Sequence, residues 1–256
     1  MRYFIELSYD GAAYCGWQRQ PDAPSVQQAL EKALSTLLRA EVEVVGAGRT
    51  DTGVNASFYV AHFDTTEAID EGHIAHKLNA MLPHDIAIMR IYKVADDLHA
   101  RFDAVEREYT YLLSLVKSPF RRYSAWICYY TLDVEKMNEA ARLMLGEHDF
   151  SCFEKVGGNN TTSICTVTEA VWSTYRPDHV KMMGYPCEDG DYIVFKVRAN
   201  RFLRNMVRAM VGSLIEVGRG KKDPSWIASL IESGSRSDAG SSVPGNALFF
   251  TGAQYK

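Results

Sequence analysis

Two runs of strand and helix patterns in the same order predict an α+β protein. Residues 1–104 follow the order β-α-β-β-α-β, which is the split βαβ order of a ferredoxin-like unit. The same order starts again after Glu106, and 256 residues are enough for two such units. We therefore expect two similar ferredoxin-like (RRM-like) halves, 1–104 and 105–256. Their mixed, mainly antiparallel sheets are expected to form a continuous surface with the helices on one side.

The first half contains four predicted strands and two predicted helices. Pro24 is followed by Ser25 and Gln28, which form a capping-box pattern at the start of the first helix. The second helix is predicted over Asp70–Met81, because Pro83 ends it. Alternating and short apolar runs predict the strands Tyr3–Tyr9, Val42–Gly46, Phe58–Phe63 and Ile86–Val94.

The second half repeats this alternation over longer elements. Strands are predicted at Tyr109–Val116, Ile164–Tyr175 and Tyr192–Ala199. Helices are predicted at Asp133–Leu145, at about Arg201–Val217, and briefly after Pro224. An apolar run at Ala247–Phe250 follows them.

Composition places the chain among ordinary soluble globular proteins. Hydrophobic residues make up 46% and charged residues 23%, which excludes a disordered chain, a fibre and a disulfide miniprotein. The five cysteines show neither metal-ligand spacing nor a disulfide framework, so we expect no metal site. No run approaches the ~18 apolar residues of a membrane span, and no signal-peptide pattern is found. We expect a cytoplasmic protein without membrane association.

The net charge of -4 argues against a nucleic-acid partner, but its distribution does not. Residues 1–104 carry a net charge of -6 and residues 105–256 a net charge of +2. Within the second half, residues 196–222 hold eight basic residues and one acidic residue, Glu216. A positive segment of this kind favours a phosphate-bearing partner.

The stretch Gly46–Gly53 contains the first candidate for chemistry. It is similar to a dinucleotide-binding fingerprint, but Asp51 stands at the third glycine position, where it would repel a pyrophosphate. The stretch instead offers a carboxylate on a glycine-bounded loop, two residues from Arg49. A neighbouring guanidinium keeps a carboxylate ionised, and an ionised carboxylate can act as a nucleophile or base. The alternative is an aspartate that only hydrogen-bonds its own loop backbone.

The predicted helix Arg201–Val217 contains the second candidate. Arg201, Arg204 and Arg208 would lie together on one face, opposite an apolar face. Guanidinium groups at this spacing can bind successive phosphates. The alternative is a solvated helix face, although such faces usually mix both signs of charge.

The strand segment Arg107–Tyr111 contains the third candidate. Arg107, Tyr109 and Tyr111 point to the same face of a strand, where an aromatic ring can stack on a nucleobase. Arg107 and Tyr109 are therefore candidate substrate-binding residues. The alternative is an ordinary aromatic strand in the core.

Together these features resemble the bacterial tRNA pseudouridine synthase A family, in order along nearly the whole chain. The loop Ala47–Val54 matches the family's catalytic loop. The other matching segments are Tyr9-Asp10-Gly11, Tyr14, Gly16-Trp17-Gln18-Arg19-Gln20, His99-Ala100-Arg101-Phe102, Arg107-x-Tyr109-x-Tyr111, His148-Asp149-Phe150 and Phe202-Leu203-x-x-Met206-Val207-Arg208.

The resemblance implies roles for individual residues. Asp51 matches the catalytic aspartate, and Arg49 an arginine that helps to open the RNA and hold the flipped nucleotide. Tyr109 matches the tyrosine that stacks on the target base. Arg208 matches the arginine that pairs with the catalytic aspartate, which leaves Arg201 and Arg204 as the phosphate ligands.

The resemblance also implies a homodimer that acts on tRNA without a metal or organic cofactor. Its targets would be uridines on the 3′ side of the anticodon stem-loop. Asp51 would either attack C1′ of the sugar or remove the 2′ hydrogen to give a glycal, and the sequence leaves both routes open. Where the family usually has Val-His-Ala, this chain has Val54-Asn55-Ala56. Asparagine can hydrogen-bond but cannot carry a proton charge.

Two other classes of function remain open from the sequence. A non-catalytic RNA-binding or chaperone protein on the same scaffold would need the tyrosines and arginines but not Asp51. A carboxylate-dependent hydrolase of glycosidic bonds would need a second acid, and none pairs convincingly with Asp51. Replacing Asp51 separates the isomerase from the binding protein.

Overall fold

The computed structural model describes residues 1–118, 124–155, 157, 161–184 and 187–256. By spatial contact the chain divides into a first unit, residues 1–107 with 249–256, and a second unit, residues 108–248. Both are α+β and mainly antiparallel, as the sequence predicts. The sequence placed residues 249–256 in the second half, whereas by contact they group with the first unit.

Helices and strands are interspersed along the described chain. The first unit contains β1 (Arg2–Tyr9), α1 (Val26–Leu38), β2 (Val44–Gly46), β3 (Asn55–Asp64), α2 (Glu71–Met81) and β4 (Ile86–Val94). Strand β5 (Ala104–Ser114) spans the boundary between the units. The second unit continues with β6 (Trp126–Ile127), α3 (Val134–Arg142), β7 (Gly146–Asp149), β8 (Ile164–Thr174), α4 (Asp178–Met182), β9 (Tyr192–Ala199), α5 (Met206–Gly218) and α6 (Trp226–Ser233). Strand β10 (Leu248–Tyr255) follows, and its residues from Phe249 onward belong to the first unit.

Side-chain caps start three of the helices. The Ser25 hydroxyl accepts a hydrogen bond from the Gln28 amide at 3.3 Å at the start of α1, which confirms the predicted cap. Asp70 accepts from the His73 amide at the start of α2, and Asp133 does the same for α3. These caps satisfy amide groups that the first turn leaves without a helical partner.

The first unit has the strand order of a ferredoxin-like sheet. Strand β1 lies antiparallel between β3 and β4, with Phe4 opposite His62 on one side and Tyr92 on the other. The other edge of β3 is shared by two strands: β2 pairs antiparallel with its end, and β10 pairs parallel with its start. The register places Phe249 opposite Asn55, the first residue of β3. The loop between β2 and β3 therefore leaves the sheet next to β10.

Both faces of this sheet are covered. Tyr3, Ile5 and Leu7 of β1 are buried on one face. On the opposite face, Phe4 packs with Val60 and Ala100 in a smaller cluster. Because β1 is buried on both sides, its apolar residues Tyr3, Phe4 and Ile5 are consecutive rather than alternating.

His62 lies at the edge of the smaller cluster. Its Nδ1 accepts a hydrogen bond from the Ala100 amide at 3.1 Å, and its ring stacks on Phe4. Burial, together with the nearby charge of Arg2, lowers the pKa of His62 to about 4. His62 is therefore a neutral acceptor near neutral pH.

The second unit has a different strand order, β5-β9-β8-β7, in which β7, β8 and β9 form an antiparallel meander. Helix α5 is buried around almost its entire circumference, and only Arg208 and Glu216 of its 13 residues are not fully buried. The predicted start at Arg201 is wrong, because α5 begins at Met206. Asn205 precedes it with φ 65°, a left-handed conformation that asparagine tolerates and a helix does not.

In the described part of the chain, every helix falls short of the length or apolarity that a membrane crossing requires.

Candidate active site

The loop between β2 and β3, residues 47–54, is held by hydrogen bonds along most of its length. The Ala47 amide donates to the Val60 carbonyl at 2.9 Å. The Tyr59 hydroxyl donates to the Gly48 carbonyl and accepts from the Gly48 amide. The Val54 amide donates to the Asp51 carbonyl at 3.1 Å, which closes the turn. These bonds hold both ends of the loop and the turn after Asp51.

Thr50, directly before Asp51, is anchored through its side chain. Its Oγ1 accepts from the Trp17 amide at 3.0 Å and shares a hydrogen bond with the Tyr9 hydroxyl at 3.0 Å. Thr50 is buried, whereas Arg49 is exposed and Asp51 is partly exposed. The loop thus turns Thr50 inward and leaves the guanidinium and carboxylate on either side of it accessible to a substrate.

The segment 11–17 packs directly against this loop. A Cβ atom on Gly11 would lie 2.1 Å from the Val54 carbonyl oxygen, and one on Gly16 would lie 2.1 Å from the Thr50 carbonyl oxygen. Gly16 also has a φ of +93°. Only glycine permits such close approach of two backbones. This contact gives a physical reason for the Gly11 and Gly16-Trp17 segments noted in the sequence.

Tyr14 connects the same segment to the start of β4. Its hydroxyl donates to Asp85 Oδ1 at 2.7 Å, and its carbonyl accepts from the Gly53 amide at 3.3 Å. Burial and the hydrogen bond to Asp85 raise the pKa of Tyr14, so the phenol stays protonated as a donor. Tyr14 therefore links the far end of the loop to the sheet.

Asn55 occupies the position after Val54 at which the resemblance expects histidine. Its side chain is buried, and its Oδ1 accepts from the Gly11 amide at 2.8 Å. An amide oxygen accepts this hydrogen bond at any pH, because the asparagine side chain does not titrate. The observed contact is structural, since it joins the segment 11–17 to the first residue of β3.

The Arg107 guanidinium lies on backbone carbonyls of the first unit. Its Nε and Nη2 donate to the Ala47 carbonyl at 3.4 and 3.3 Å, and its Nη1 donates to the Ala104 carbonyl at 2.7 Å. A further bond reaches the Arg101 carbonyl. Arg107 thus braces the start of the loop, and these contacts favour a positioning role over the substrate contact expected from the sequence.

In the second unit, Tyr109 lies on β5 and is 8% exposed. Its ring meets Phe202 edge to face, with centroids 5.0 Å apart. Tyr111, on the same face of the strand, is fully buried, and its hydroxyl donates to the Pro244 carbonyl at 2.9 Å. Burial raises the pKa of Tyr111. Of the two tyrosines, Tyr111 belongs to the core, and Tyr109 lies next to the segment that carries Arg201 and Arg204.

Arg201 and Arg204 do not lie on a helix, so the predicted basic helix face is wrong. Both precede the left-handed Asn205, in the connection between β9 and α5. Arg204 is exposed and Arg201 is half-buried. Neither forms an ion pair with any residue that the structure describes. They flank Phe202, the ring neighbour of Tyr109.

Four of the eight basic residues in 196–222 are paired with carboxylates. Arg198 contacts Glu108 at 2.6 Å and Glu169 at 3.2 Å, and Lys196 contacts Glu108 at 3.7 Å. Arg219 and Lys221 both contact Glu216. Glu108 lies on β5 and Glu169 on β8, the two strands on either side of β9. The count of charges along residues 196–222 therefore overstated the positive charge of this region.

Arg208 extends from the first turn of α5. Its Nε donates to the Val243 carbonyl at 2.7 Å, and its own carbonyl accepts from the Val243 amide at 3.3 Å. The residue is half-buried. This pair of bonds fixes the base of the side chain against the loop that follows α6.

The structure thus distributes the predicted residues over the two units. In the first unit, Arg49 and Asp51 lie on the loop 47–54, and Arg107 donates to its Ala47 carbonyl. Tyr109, Arg201, Arg204 and Arg208 belong to the second unit. Among the described residues, no group of three or more His, Cys, Asp or Glu side chains is arranged to hold a metal ion.

Thr50, Tyr59 and Tyr14 are the residues that the sequence interpretation did not connect to the site. Thr50 and Tyr59 act through side-chain hydrogen bonds to the backbone of Trp17 and Gly48, whereas the Tyr14 hydroxyl donates to the Asp85 carboxylate. Thr50 and Tyr14 lie within the segments that match the family, and this position was a signal of a role in the site. Nothing in the pattern of β3 distinguishes Tyr59 from any other buried aromatic residue.

A loop of this kind, with an accessible carboxylate and a guanidinium on a hydrogen-bonded backbone, has the groups that carboxylate-dependent chemistry requires. Comparison with known proteins defines the family. The chain belongs to the tRNA pseudouridine synthase family, whose model matches residues 7–103 and 140–256. It is 50% identical to tRNA pseudouridine synthase A of Bacteroides thetaiotaomicron, over 99% of this chain and 90% of that protein.

Other relatives bear the same name. The chain is 47% identical to tRNA pseudouridine synthase A of Bacteroides fragilis, over 99% of this chain and 96% of that protein. It is 38% identical to the protein of that name in Colwellia psychrerythraea, over 100% of this chain and 94% of that protein. The family suggested by the sequence motifs is therefore confirmed.

Proposed function

We propose that this protein is a tRNA pseudouridine synthase, an isomerase that converts uridine to pseudouridine in the anticodon stem-loop of tRNA. The observation that carries the proposal is the loop 47–54, which holds Arg49 and Asp51 accessible on a fixed backbone in a chain of this family. Rigid placement of a reactive group lowers the barrier of the step that it serves.

The reaction needs no cosubstrate. The bond between C1′ and N1 of the uridine breaks, the base turns, and a bond forms between C1′ and C5. The C5 proton leaves and N1 gains a proton, so the substrate and product contain the same atoms. Asp51 acts at the sugar, by attack on C1′ or by removal of the 2′ hydrogen.

The other candidate residues serve the substrate in this proposal. Tyr109 stacks on the target base and assists loss of the C5 proton, and Arg49 helps to hold the flipped nucleotide. Stacking offsets the few kcal/mol that unstacking a base costs. Arg208 has the catalytic role that the family resemblance implies for it. Arg201 and Arg204 bind phosphates of the tRNA. A tRNA substrate places the reaction in the cytoplasm, and the family resemblance supports a homodimer, which light scattering on the purified protein would measure.

The test is Asp51→Asn with tRNA transcripts that carry tritium at C5 of uridine. Wild-type protein should release tritium, and Asp51→Asn should bind tRNA equally well but lose roughly a thousandfold or more in rate. Asp97→Asn is the matched control, because Asp97 carries a solvent-accessible carboxylate on a turn of the first unit, away from the loop 47–54. It should keep the wild-type rate.

Three outcomes would contradict the proposal. Tritium release by Asp51→Asn at the wild-type rate removes the aspartate from the mechanism. Release of free uracil by the wild type indicates a hydrolase. Binding of tRNA by the wild type without tritium release from any transcript indicates a non-catalytic RNA-binding protein.

A further inference from the structure

The Tyr59 hydroxyl makes an unusual contact with the loop that carries Asp51. Tyr59 lies on β3 with its side chain fully buried. Its hydroxyl bonds to both the carbonyl and the amide of Gly48, the residue before Arg49. One side chain thereby fixes both polar backbone groups of a single loop residue.

The ring that carries this hydroxyl has little room to shift. Its centroid lies 4.2 Å from that of Trp17, 5.7 Å from Tyr9 and 5.1 Å from Phe250. A Cβ atom on Gly46 would lie 2.3 Å from the Tyr59 oxygen, so the glycine is what makes space for it. The hydroxyl is held by well-packed neighbours on several sides.

Gly48 and Thr50 are therefore both anchored, and Arg49 lies between them. Thr50 is held through its Oγ1 by Trp17 and Tyr9, the same two residues whose rings pack on Tyr59. Tyr9, Trp17 and Tyr59 thus form one buried aromatic cluster, which contacts the loop at two points. Arg49 and Asp51 project from the loop beside those points.

We propose that Tyr59 is a positioning residue for Arg49 and Asp51, acting through Gly48 and assisted by Thr50. The inference rests on the proposed synthase activity and assigns to Tyr59 no contact with RNA. Without the hydroxyl, Gly48 loses its partner for two backbone groups, and the loop samples arrangements in which the carboxylate is displaced from the sugar. A displacement of about 1 Å at a reacting group can cost about a hundredfold in rate.

A positioning role predicts that loss of the Tyr59 hydroxyl lowers the rate of pseudouridine formation but leaves the affinity for tRNA nearly unchanged. Tyr59→Phe keeps the ring and its neighbours and removes only the hydroxyl. Its single-turnover rate of pseudouridine formation should fall about ten- to a hundredfold, while its affinity for tRNA should change less than about twofold. The affinity is preserved because the phosphate candidates Arg201 and Arg204 are unchanged.

Tyr3→Phe is the matched control. Tyr3 is also a buried tyrosine of the first unit, and its hydroxyl accepts from the Ile69 amide at 3.3 Å, with no bond to the loop. Tyr59→Phe loses both hydrogen bonds to Gly48 and Tyr3→Phe loses the one from Ile69, so the melting temperature should fall in both variants, and further in Tyr59→Phe. Only Tyr59→Phe should lose catalytic rate.

A second pair of variants tests the same cluster independently of Tyr59. Thr50→Ser keeps an oxygen for Trp17 and Tyr9, whereas Thr50→Val keeps the shape and removes the oxygen. We expect near wild-type rates for Thr50→Ser and a rate loss comparable to that of Tyr59→Phe for Thr50→Val. This pair decides the question if Tyr59→Phe does not fold.

The results distinguish failure of this inference from failure of the proposed function. Equal rates for Tyr59→Phe and Tyr3→Phe, or a loss of tRNA affinity that accounts for the whole effect, would overturn the positioning role while wild-type protein still forms pseudouridine. Absence of pseudouridine with wild-type protein would overturn the proposed function, and the positioning role with it.

Discussion

The first unit carries Arg49 and Asp51 on a loop held by hydrogen bonds, whereas the second unit carries its candidate phosphate ligands, Arg201 and Arg204, on a connection between a strand and a helix. Loop 47–54 is fixed by Tyr59, Thr50 and Arg107. Arg201 and Arg204 precede α5 and form no ion pair with the described residues. Reaction at a sugar carbon requires fixed geometry, whereas phosphate binding requires charge and access. The two units meet these two requirements separately.

Substitution of Gly16 should produce the largest effect on stability, because any side chain there clashes with the backbone of the loop 47–54. In Gly16→Ala, the new Cβ meets the Thr50 carbonyl oxygen at 2.1 Å on a backbone with φ +93°. Positive φ and overpacking each cost a few kcal/mol, so we expect a loss of about 4 kcal/mol in the free energy of unfolding. Urea unfolding measures it.

Gly48→Ala is the control for that substitution. No atom lies within 4 Å of a Cβ on Gly48, so its free energy of unfolding should change by less than about 1 kcal/mol. Similar stabilities for the two variants would show that the loop yields to its neighbours and is not fixed.

Acid should weaken the first unit through His62, by an intermediate amount. The folded state resists protonation of His62, whose pKa is lowered to about 4, while the unfolded chain protonates near its ordinary value of about 6.5. Stability is therefore complete above about pH 6.5, falls between about pH 6.5 and 4, and levels off below. The loss is at most about 3 kcal/mol, measured by urea unfolding at several pH values.

Two variants isolate this contribution. His62→Gln keeps an acceptor for the Ala100 amide and does not titrate, so its stability should vary less with pH. His73→Gln, at an exposed histidine of α2, should behave as the wild type. Parallel pH curves for wild type and His62→Gln would exclude His62 as the source.

Charge reversal in the second unit should give the smallest change in free energy, and it should act on binding alone. Arg201→Glu with Arg204→Glu should weaken tRNA binding about thirtyfold, or about 2 kcal/mol. The slope of log affinity against log salt should decrease by roughly 1 to 2, because fewer counterions are released. Filter binding at several salt concentrations measures both quantities.

Arg142→Glu provides the matched charge control. Arg142 is an exposed arginine in the last turn of α3. Its reversal changes the net charge of the unit without changing the connection before α5. An equal loss of affinity would mean that the general charge of the unit, and not Arg201 and Arg204, attracts the RNA.

The sequence predicted elements that carry their own local signals. Ser25 and Asp70 mark the starts of α1 and α2, and β1 has an apolar run long enough to recognise. Strand β7 was missed because Gly146–Asp149 contains no apolar pattern, and it exists through pairing with β8. The start of α5 was misplaced because the apolar periodicity continues upstream of Asn205, whose left-handed backbone prevents the helix from beginning earlier.

For the site too, the sequence predicted residues with a local signal and missed contacts that depend on the fold. Asp51 and Arg49 could be found because glycines and charges share one short loop. The pairing of Arg198 with Glu108 and Glu169 could not, since it depends on which strands become neighbours. The hydrogen bonds of Tyr59 depend on the path of the backbone, which no residue pattern contains.

Strand β10 has a consequence for the order in which the molecule is made. Its residues pair with the start of β3, beside the loop that carries Asp51, yet the second unit is synthesised between the two strands. At ribosomal rates of 5–20 residues per second, roughly ten to forty seconds separate their synthesis. During that interval the start of β3 lacks its parallel partner, and such distant pairing slows folding. The sheet of the first unit can therefore be completed only after the second unit has been synthesised.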